Sequence, residues 1–326
     1  MRVHVLHHGH CFDGMVSACV FAAFLRQHCP QPVTPVFIPK HYGNGDPFDE
    51  SDFAGDINAC VDFRYTRHPR LHWYFDHHRS AFQSAEDRGH FVADGERRKF
   101  HDADAPSCAR LIAQIARDQF DVDLSPFNQL IEWADTIDRA RFPSPAAAVT
   151  LENPAMRLAA FVQVCDDQPA AQSLIDRLTR DGLEATALAP DVAAVVEARQ
   201  REREINLALL DRRARIRGEV LTYDLLGDGP RVLNHFLPYY LHPTVRYAVG
   251  TYEGSDGSLR LSVGFNPWLD PSTREHDLAA LCEAHGGGGH AYVGGCTLSA
   301  GEKDRMRTIW ASVSRVLRRA PAASSL

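Results

Sequence analysis

Imidazole and carboxylate side chains gather at three points of the chain, each of them directly after an apolar run. In chain order they are His7, His8, His10 and Asp13, then Asp62, and then Asp76, His77 and His78. Adjacent polar groups of this kind are costly to bury without partners, so we expect them at strand ends, facing a metal, a phosphate or one another. A lone histidine is usually structural, whereas histidines bunched beside aspartates favour a chemical site.

Short strands are predicted ahead of these groups. The candidates are VHVL (3–6), TPVFIP (34–39), INACVDF (57–63) and LHWYF (71–75), and a long helical run follows Gly14. Strands that alternate with helices predict a doubly wound α/β domain with a parallel sheet. Because the carboxyl ends of parallel strands share one edge, where open α/β folds bind ligands, the three groups are expected to meet in one cleft.

A further pair of carboxylates is predicted on a helix over 125–141. Asp135 and Asp138 are three residues apart and therefore face the same way on that helix. Several carboxylates and imidazoles in one cleft would repel and lose hydration unless a cation compensates them. Two divalent metals that share a bridging carboxylate would do so, and such pairs clamp the attacking and leaving oxygens of phosphoryl transfer.

The second half of the chain reads as a separate domain. A long, charged helix is predicted over 191–217, and strands follow Gly218 at 219–226, 246–254 and 259–266, with a helix at 276–285. We therefore predict an N-terminal domain of residues 1–190, a helical linker of residues 191–212 and a smaller α/β domain of residues 213–326. A length of 326 residues is enough for two hydrophobic cores.

Composition and charge exclude several classes of protein. The formal net charge of −7 argues against general binding to long polyanions, which needs many cationic contacts. Eight scattered cysteines contain no C-x-x-C pair, so a zinc ribbon or a redox motif is not predicted. The N-terminus lacks the apolar core of a signal peptide, and the longest apolar run, residues 15–25, is too short to cross a bilayer. We expect a cytoplasmic protein with no membrane partner.

The order of the motifs resembles that of the DHH/DHHA1 phosphoesterase superfamily, which includes nanoRNases, bisphosphate nucleotidases and RecJ-like exonucleases. The matching motifs are H-x-x-x-C-x-D-G-x-x-S-A at 7–18, V-D-F at 61–63, D-H-H at 76–78, A-D-T at 134–136 and G-G-G-G-H at 286–290. They extend over nearly the whole chain in the expected order. The resemblance implies a catalytic DHH domain with a doubly wound parallel sheet, joined through the helical linker to a DHHA1 domain that binds substrate.

The resemblance also implies roles for single residues. The metal ligands that it implies are His7 and Asp13 on opposite metals, Asp62 as the bridge, and His77 and Asp135 completing the site. Asp76 is implied to orient His77 from behind. His78 is implied to contact the substrate phosphate, so that the two adjacent imidazoles face different objects.

One position departs from the family pattern. The family usually has an aspartate two residues before the position of Asp13, and this chain has Cys11. Two divalent ions are expected, with manganese favoured. A thiolate is a softer ligand than a carboxylate, so Cys11 in contact with a metal would shift the metal preference of the site toward zinc or iron. A buried Cys11 that only packs is the alternative. His8 and His10 are extra imidazoles nearby, and either could substitute as a ligand; hydrogen bonding to neighbours is the favoured role.

The run GGGGH at 286–290 also has two interpretations. It could end a helix and form a turn, or its backbone amides could cradle an anion. The resemblance assigns this loop to substrate binding, which makes Gly287, Gly288, Gly289 and His290 candidate substrate contacts. Asp138 is expected to lie behind the metal ligands or to pair with Arg139 or Arg141.

These observations predict a divalent-metal-dependent phosphoesterase, a hydrolase of ester bonds that attacks phosphorus with a metal-bridging hydroxide. Short single-stranded oligonucleotides or small nucleotides are the expected substrates, because the chain is acidic. The alternatives are a single-strand-specific exonuclease on longer substrates, a non-catalytic nucleotide-binding protein with an impaired first metal site, and a pyrophosphatase, which the glycine-rich loop disfavours. A monomer and a homodimer both stay open.

Overall fold

The computed structural model describes residues 1–43, 45–95, 97–165 and 167–318. The chain divides into two compact units, of which the first contains Met1–Phe142 and Leu151–Glu197 and the second Pro143–Thr150 and Ala198–Leu326. The boundaries predicted from the sequence, at residues 190 and 213, stay a prediction. Among the described residues, no helix combines the length and the apolar character that a membrane span requires.

The first unit is built on a parallel sheet of five strands. The strands are β1 (Arg2–His8), β2 (Thr34–Lys40), β3 (Ile57–Val61), β4 (Trp73–Asp76) and β5 (Lys99–His101). Their order is β2-β1-β3-β4-β5, and every neighbouring pair is parallel. From β1 the chain runs to β2 on one side, and from β2 it passes back to β3 on the other side of β1. The carboxyl ends of β1 and β3 therefore flank the point where doubly wound folds bind ligands.

Helices and loops cover both faces of this sheet. The helices are α1 (Phe12–His28), α2 (Ala85–Ala93), α3 (Cys108–Phe120), α4 (Asn128–Asp138), α6 (Pro154–Val162) and α7 (Gln168–Ala187), which is kinked at Gly182; α5 (Pro145–Val149) belongs to the second unit. Helix α1 is apolar on all sides because it is buried from Phe12 to Leu25 between β1 and the helices α3, α4 and α7. A smaller cluster around Phe53, Phe63 and Tyr74 forms a separate core.

The second unit contains a mixed sheet of six strands. These are β6 (Arg215–Arg217), β7 (Val220–Asp224), β8 (Tyr247–Glu253), β9 (Leu259–Phe265), β10 (Gly288–His290) and β11 (Val293–Leu298), in the order β10-β11-β9-β8-β7-β6. Only β7 and β8 are parallel neighbours among these pairs. Helices α9 (Leu237–Leu241), α10 (Leu278–Glu283) and α11 (Lys303–Leu317) belong to this unit. The α/β class predicted for both halves of the chain is confirmed.

The predicted helix over 191–217 is too long. Helix α8 (Pro190–Arg213) ends at Arg213, and Arg215–Arg217 forms the edge strand β6, paired antiparallel with β7. The charged residues of this stretch suit an exposed helix and an exposed edge strand equally, so composition alone could not separate the two. The predicted strands at 246–254 and 259–266 correspond to β8 and β9, which pair antiparallel as a hairpin around GSDG (254–257).

Candidate metal centre

The three groups of polar residues meet at the carboxyl edge of the parallel sheet. His7 and His8 end β1, Asp62 follows β3 directly, and Asp76 ends β4. Strands β1, β3 and β4 are adjacent in the sheet, so these ends lie side by side. The register confirms this arrangement, because His7 is paired with Val61, the residue before Asp62. The predicted convergence on one edge is therefore present in the fold.

Asp62 is the most constrained residue of the group. It is fully buried, and neither of its carboxylate oxygens has a hydrogen-bond partner within the described part of the chain. Its φ angle of 56° lies in the left-handed region, which non-glycine residues adopt rarely and most often at functional sites. A buried carboxylate with two unsatisfied oxygens is costly, so the arrangement calls for a positively charged ligand.

Two histidine rings are held with one nitrogen turned into the site. Nδ1 of His77 lies 3.1 Å from the carbonyl oxygen of Ala105, and Nδ1 of His7 lies 3.2 Å from the carbonyl oxygen of His8. A carbonyl only accepts, so each Nδ1 donates and each neutral ring keeps its Nε2 lone pair free. Both Nε2 atoms are buried and find no partner among the residues described. Backbone support of this kind is typical of metal-binding histidines.

His77 stands at the centre of three carboxylates. Its Nε2 atom lies 3.5 Å from Asp13, 3.6 Å from Asp62 and 3.5 Å from Asp138. Burial opposes protonation of His77, but these carboxylates outweigh burial and raise its pKa to about 10. In contrast, burial lowers the pKa of His7 to about 4, so this ring is neutral at physiological pH.

Asp13 is held by the N-terminus of α3. Its Oδ2 accepts the N–H of Cys108 at 2.7 Å, and its Oδ1 accepts the N–H of Ala109 at 3.1 Å. Burial and the carboxylates of Asp62 and Asp138 nevertheless raise the pKa of Asp13 well above its usual range. The three acids therefore repel one another, and one imidazolium ring compensates them incompletely.

Helix α4 places Asp135 and Asp138 differently from the prediction, in which Asp135 is a metal ligand and Asp138 lies behind it. Asp135 is held away from the site, because its Oδ1 accepts the hydroxyl of Ser107 at 2.6 Å and its Oδ2 accepts both Nε and Nη2 of Arg110, at 2.9 and 2.6 Å. Asp138, one turn later, faces His77 instead. Arg139, a predicted partner of Asp138, donates to the carbonyl of Asp104. The ligand role predicted for Asp135 stays a prediction, and the geometry favours Asp138.

Asp76 supports His78 rather than the ring of His77. Its Oδ1 lies 2.7 Å from Nδ1 of His78 and accepts the backbone N–H of His77 at 2.9 Å, while its Oδ2 accepts the hydroxyl of Tyr74 at 3.0 Å. Burial opposes protonation of His78, but the bond to Asp76 and the charge of Asp62 raise its pKa to about 9. His78 is therefore a partly exposed cation whose Nε2–H is free to meet a ligand.

His8 and Cys11 form a further group of possible ligands with Asp62. One ligand atom each from His8, Cys11 and Asp62 can be chosen so that all three lie within 4.8 Å of one another. Nδ1 of His8 is buried without a hydrogen-bond partner in the described chain and is 3.7 Å from Oδ2 of Asp62. His10 is in none of these groups of ligand atoms, and its ring lies 4.2 Å from that of His41. His8 therefore joins the site, whereas His10 packs against a neighbouring ring.

Two further groups of ligand atoms meet the same distance limit. They are Asp62, His77 and His78, and Asp13, His77 and Asp138. Together with the orphaned buried atoms of Asp62, His7 and His77, these donors fit divalent cations, since carboxylate oxygens and imidazole nitrogens are their usual protein ligands. Asp62 occurs in two of the three groups, and its bridging role stays a prediction.

The predicted substrate residues form a hairpin in the second unit. Gly288–His290 is strand β10, paired with β11, and His290 is exposed. A side chain at Gly287 would collide with the carbonyl of Gly295, and one at Gly289 would collide with the carbonyl of Val293. The hairpin thus needs glycine at both positions for packing alone. Gly288 has open space around it, so the fold does not explain this glycine.

Sequence reasoning underrated His8 and Asp138 and missed Arg110. The signal for Asp138 was present, since it is three residues from Asp135 on one helix. Nothing in the sequence indicates that Arg110, on α3, covers Asp135 on α4, because this contact depends on how the two helices pack. The carbonyl of Ala105, which orients His77, was equally invisible.

Solved structures with a DHH domain resemble this fold. A pGpG-specific phosphodiesterase, PggH from Vibrio cholerae, superimposes with a TM-score of 0.67 at 19% sequence identity, covering 98% of this chain and 99% of that chain. The DHH domain of a protein described as a member of a ribosomal protein family superimposes with a TM-score of 0.53 at 12% identity, covering 98% and 87%. Exonuclease RecJ bound to manganese gives 0.48 at 16% identity, covering 98% and 91%.

No family model matches the chain, and no curated protein sequence matches it. The structural matches define the fold as that of the DHH-domain proteins, so the resemblance inferred from the motifs is confirmed at the level of the fold. PggH is similar to this chain over essentially the full length of both proteins.

Proposed function

We propose that this chain is a metal-dependent phosphodiesterase that hydrolyses short oligonucleotides. The observation that carries the proposal is the convergence of buried, unpartnered donor atoms, two from Asp62 and one each from His7 and His77, at the ligand-binding edge of the sheet. Such atoms destabilise a protein unless they bind something. Their donor chemistry suits divalent cations, and paired cations of this kind are typical of phosphoester hydrolysis.

Each residue has a distinct task in this proposal. Asp62 serves both cations, and Asp13, His77 and Asp138 hold one of them through two carboxylates and one imidazole. Oxygen-rich donors of this kind suit Mn²⁺ or Mg²⁺, and we propose Mn²⁺ for this position. When bound, the cations supply Lewis acidity to a phosphoryl oxygen and activate water as the nucleophile.

His78 contacts the substrate rather than a metal in this scheme. The bond from its Nδ1 to Asp76 fixes the ring and leaves Nε2–H free, and the raised pKa keeps the ring cationic near neutral pH. A cationic imidazole can donate to a non-bridging phosphate oxygen, and it can give its proton to the leaving oxygen as the ester bond breaks. Asp76 compensates the ring charge throughout.

Short substrates are favoured over long strands. The net charge of −7 disfavours a long polyanion, whose binding depends on many cationic contacts. PggH, which resembles this chain over 98% of its length, is described as specific for the dinucleotide pGpG, and this supports a dinucleotide as one substrate to test. We further propose that Gly288 and His290 of the hairpin contact the substrate.

The test is a substrate series with product analysis. The full-length protein, freed of metal and reloaded with Mn²⁺, Mg²⁺ or Zn²⁺, is incubated with 5′-phosphorylated strands from dinucleotides to about ten nucleotides. We expect kcat/KM to be highest for the shortest strands and mononucleotide products to accumulate. Asp62→Asn provides the inactive control, and Asp123→Asn, which changes an exposed loop acid, provides the matched active control.

Two results would redirect the assignment. Activity that rises with strand length would identify a single-strand exonuclease. Nucleotide binding without turnover for any of the three metals would identify a binding protein and overturn the proposal.

A further inference from the structure

The candidate centre contains two groups of ligand atoms with different chemistry. Asp13, His77 and Asp138 provide two carboxylates and one imidazole. His8, Cys11 and Asp62 provide one imidazole, one sulfur and one carboxylate, with the three ligand atoms mutually within 4.8 Å. Thiolate ligands select zinc and iron, whereas oxygen-rich sites suit manganese and magnesium. The two groups are therefore suited to different cations.

The second group has the features of a built site. Asp62 is fully buried and both of its oxygens lack a hydrogen-bond partner within the described residues. Nδ1 of His8 is likewise buried and unpartnered there, at 3.7 Å from Asp62. The ring of His8 is fixed from outside by Tyr42, at 5.1 Å between ring centroids, and by Phe63, at 5.9 Å. Two buried donor atoms therefore lie 3.7 Å apart without a hydrogen bond among the described residues.

Cys11 is placed to complete this position. It precedes helix α1 as the N-cap residue, a position usually taken by Ser, Thr, Asp or Asn. It is partly exposed, unlike Cys60 and Cys108, which are buried and whose sulfurs contact the carbonyls of Arg64 and Phe75. The thiol of Cys11 interacts with the backbone of Gly14, and its sulfur also belongs to the group of possible ligand atoms with His8 and Asp62.

We propose that His8, Cys11 and Asp62 form a nitrogen, sulfur and oxygen site for a thiophilic divalent cation such as Zn²⁺, so that the protein binds two different metals. This inference rests on the proposed function in one respect, because Asp62 is also a ligand of the Mn²⁺ ion proposed above. Three protein ligands of mixed type leave one position of a tetrahedral zinc ion open, as catalytic zinc sites do. Cys11→Asp would give both positions two carboxylates and one imidazole.

Cobalt is a direct probe of the sulfur ligand. The metal-free, full-length protein is titrated with Co²⁺, whose bond to a thiolate gives a charge-transfer band in the near ultraviolet. We expect the band in the wild type and in Cys29→Ser, a matched control at another partly exposed cysteine. Cys11→Ser and Cys11→Asp should lose it. Zn²⁺ should abolish the band at about stoichiometric amounts, and Mn²⁺ should not.

Metal competition gives the second measurement. With equal Zn²⁺ and Mn²⁺, the wild type should retain about one of each, and Cys11→Asp should change the ratio toward Mn²⁺ by about tenfold or more. X-ray absorption at the zinc edge of the wild type should show one sulfur neighbour. This measurement uses the wild type alone and does not depend on whether a variant folds.

Absence of the band and of a sulfur neighbour in the wild type would overturn the mixed-metal site. Loss of the band in Cys29→Ser as well would also overturn it. Neither result touches the proposed phosphodiesterase, which is tested separately by oligonucleotide turnover with Mn²⁺.

Discussion

The carboxylate of Asp138 lies 3.5 Å from Nε2 of His77, whereas Asp135, one turn earlier on α4, is bound by Arg110 and Ser107. Helical spacing brings both acids to the same side of α4, but only one of them reaches the metal centre. The other joins α4 to the start of α3. We therefore expect Asp138 to affect metal binding and Asp135 to affect stability, and this can be measured.

Asp138→Asn should weaken Mn²⁺ binding by about tenfold or more, with little change in the melting temperature, because it removes one ligand from a partly exposed position. Asp135→Asn should keep the metal affinity and lower the free energy of unfolding by about 1–3 kcal/mol, because it leaves Arg110 without its charged partner. Calorimetry of metal binding and thermal unfolding of both variants decide this. If the two effects are exchanged, Asp135 is the ligand, as the motif alone predicted.

Asp62→Asn should abolish turnover, by a factor of about a thousand or more, and should reduce the content of both metals. Asparagine tolerates the left-handed backbone of this position almost as well as aspartate does, so the fold should persist. Metal content by mass spectrometry and circular dichroism of the same sample separate the loss of ligands from misfolding. Retention of both metals would contradict a bridging role.

The sheet and its functional edge could be predicted from the sequence because both depend on local patterns. Short apolar runs that lead into Asp62 or into Asp76 and His77 indicate buried strands and the places where they end. The division of labour between residues could not be predicted. Whether Asp135 or Asp138 reaches the centre depends on Arg110, a residue of another helix, and on how closely α3 and α4 pack.

Metal affinity should increase with pH. At neutral pH the metal-free protein carries a proton on His77, whose pKa is raised to about 10, and a cation must displace that proton to reach Nε2. Between about pH 6 and pH 9 the apparent Kd for Mn²⁺ should therefore fall by up to about tenfold per pH unit.

Calorimetric titration in two buffers of different ionisation enthalpy measures the protons released on metal binding. We expect about one or more protons per metal at neutral pH. A Kd that does not change with pH would show that no group of the centre exchanges a proton for the metal.

His78→Ala and Asp76→Asn should both retain metal while losing turnover. His78→Ala removes the proposed phosphate contact and should reduce kcat by about a hundredfold to ten-thousandfold. Asp76→Asn should lose less, because the ring stays in place but its charge is no longer compensated. The pH profile of kcat distinguishes the two variants, since only Asp76→Asn should shift its alkaline limb to lower pH as the pKa of His78 falls. Metal loss in either variant would contradict these roles.

The glycine-rich hairpin provides a test of what its glycines are for. Gly289 has a φ angle of 147°, and a side chain there would collide with the carbonyl of Val293, so Gly289→Ala should destabilise the hairpin. A side chain at Gly288 would meet no atom within 4 Å. Gly288→Ala should therefore leave the melting temperature unchanged. If it nevertheless lowers kcat/KM for a dinucleotide, the missing side chain makes room for substrate; an unchanged kcat/KM would exclude that role.

His290→Ala should then affect substrates according to their length. His290 is exposed on β10, so its removal should not destabilise the fold. In the proposed function, His290 contacts the second nucleotide of a dinucleotide, and the binding energy of that contact lowers the barrier to hydrolysis. Its loss should reduce kcat/KM for a dinucleotide by about tenfold to a thousandfold, which corresponds to about 1.4–4 kcal/mol. A small activated aryl phosphodiester, which lacks a second nucleotide, should be hydrolysed at nearly the wild-type rate. Equal losses for both substrates would mean that His290 supports the fold or the metal centre and contacts no substrate.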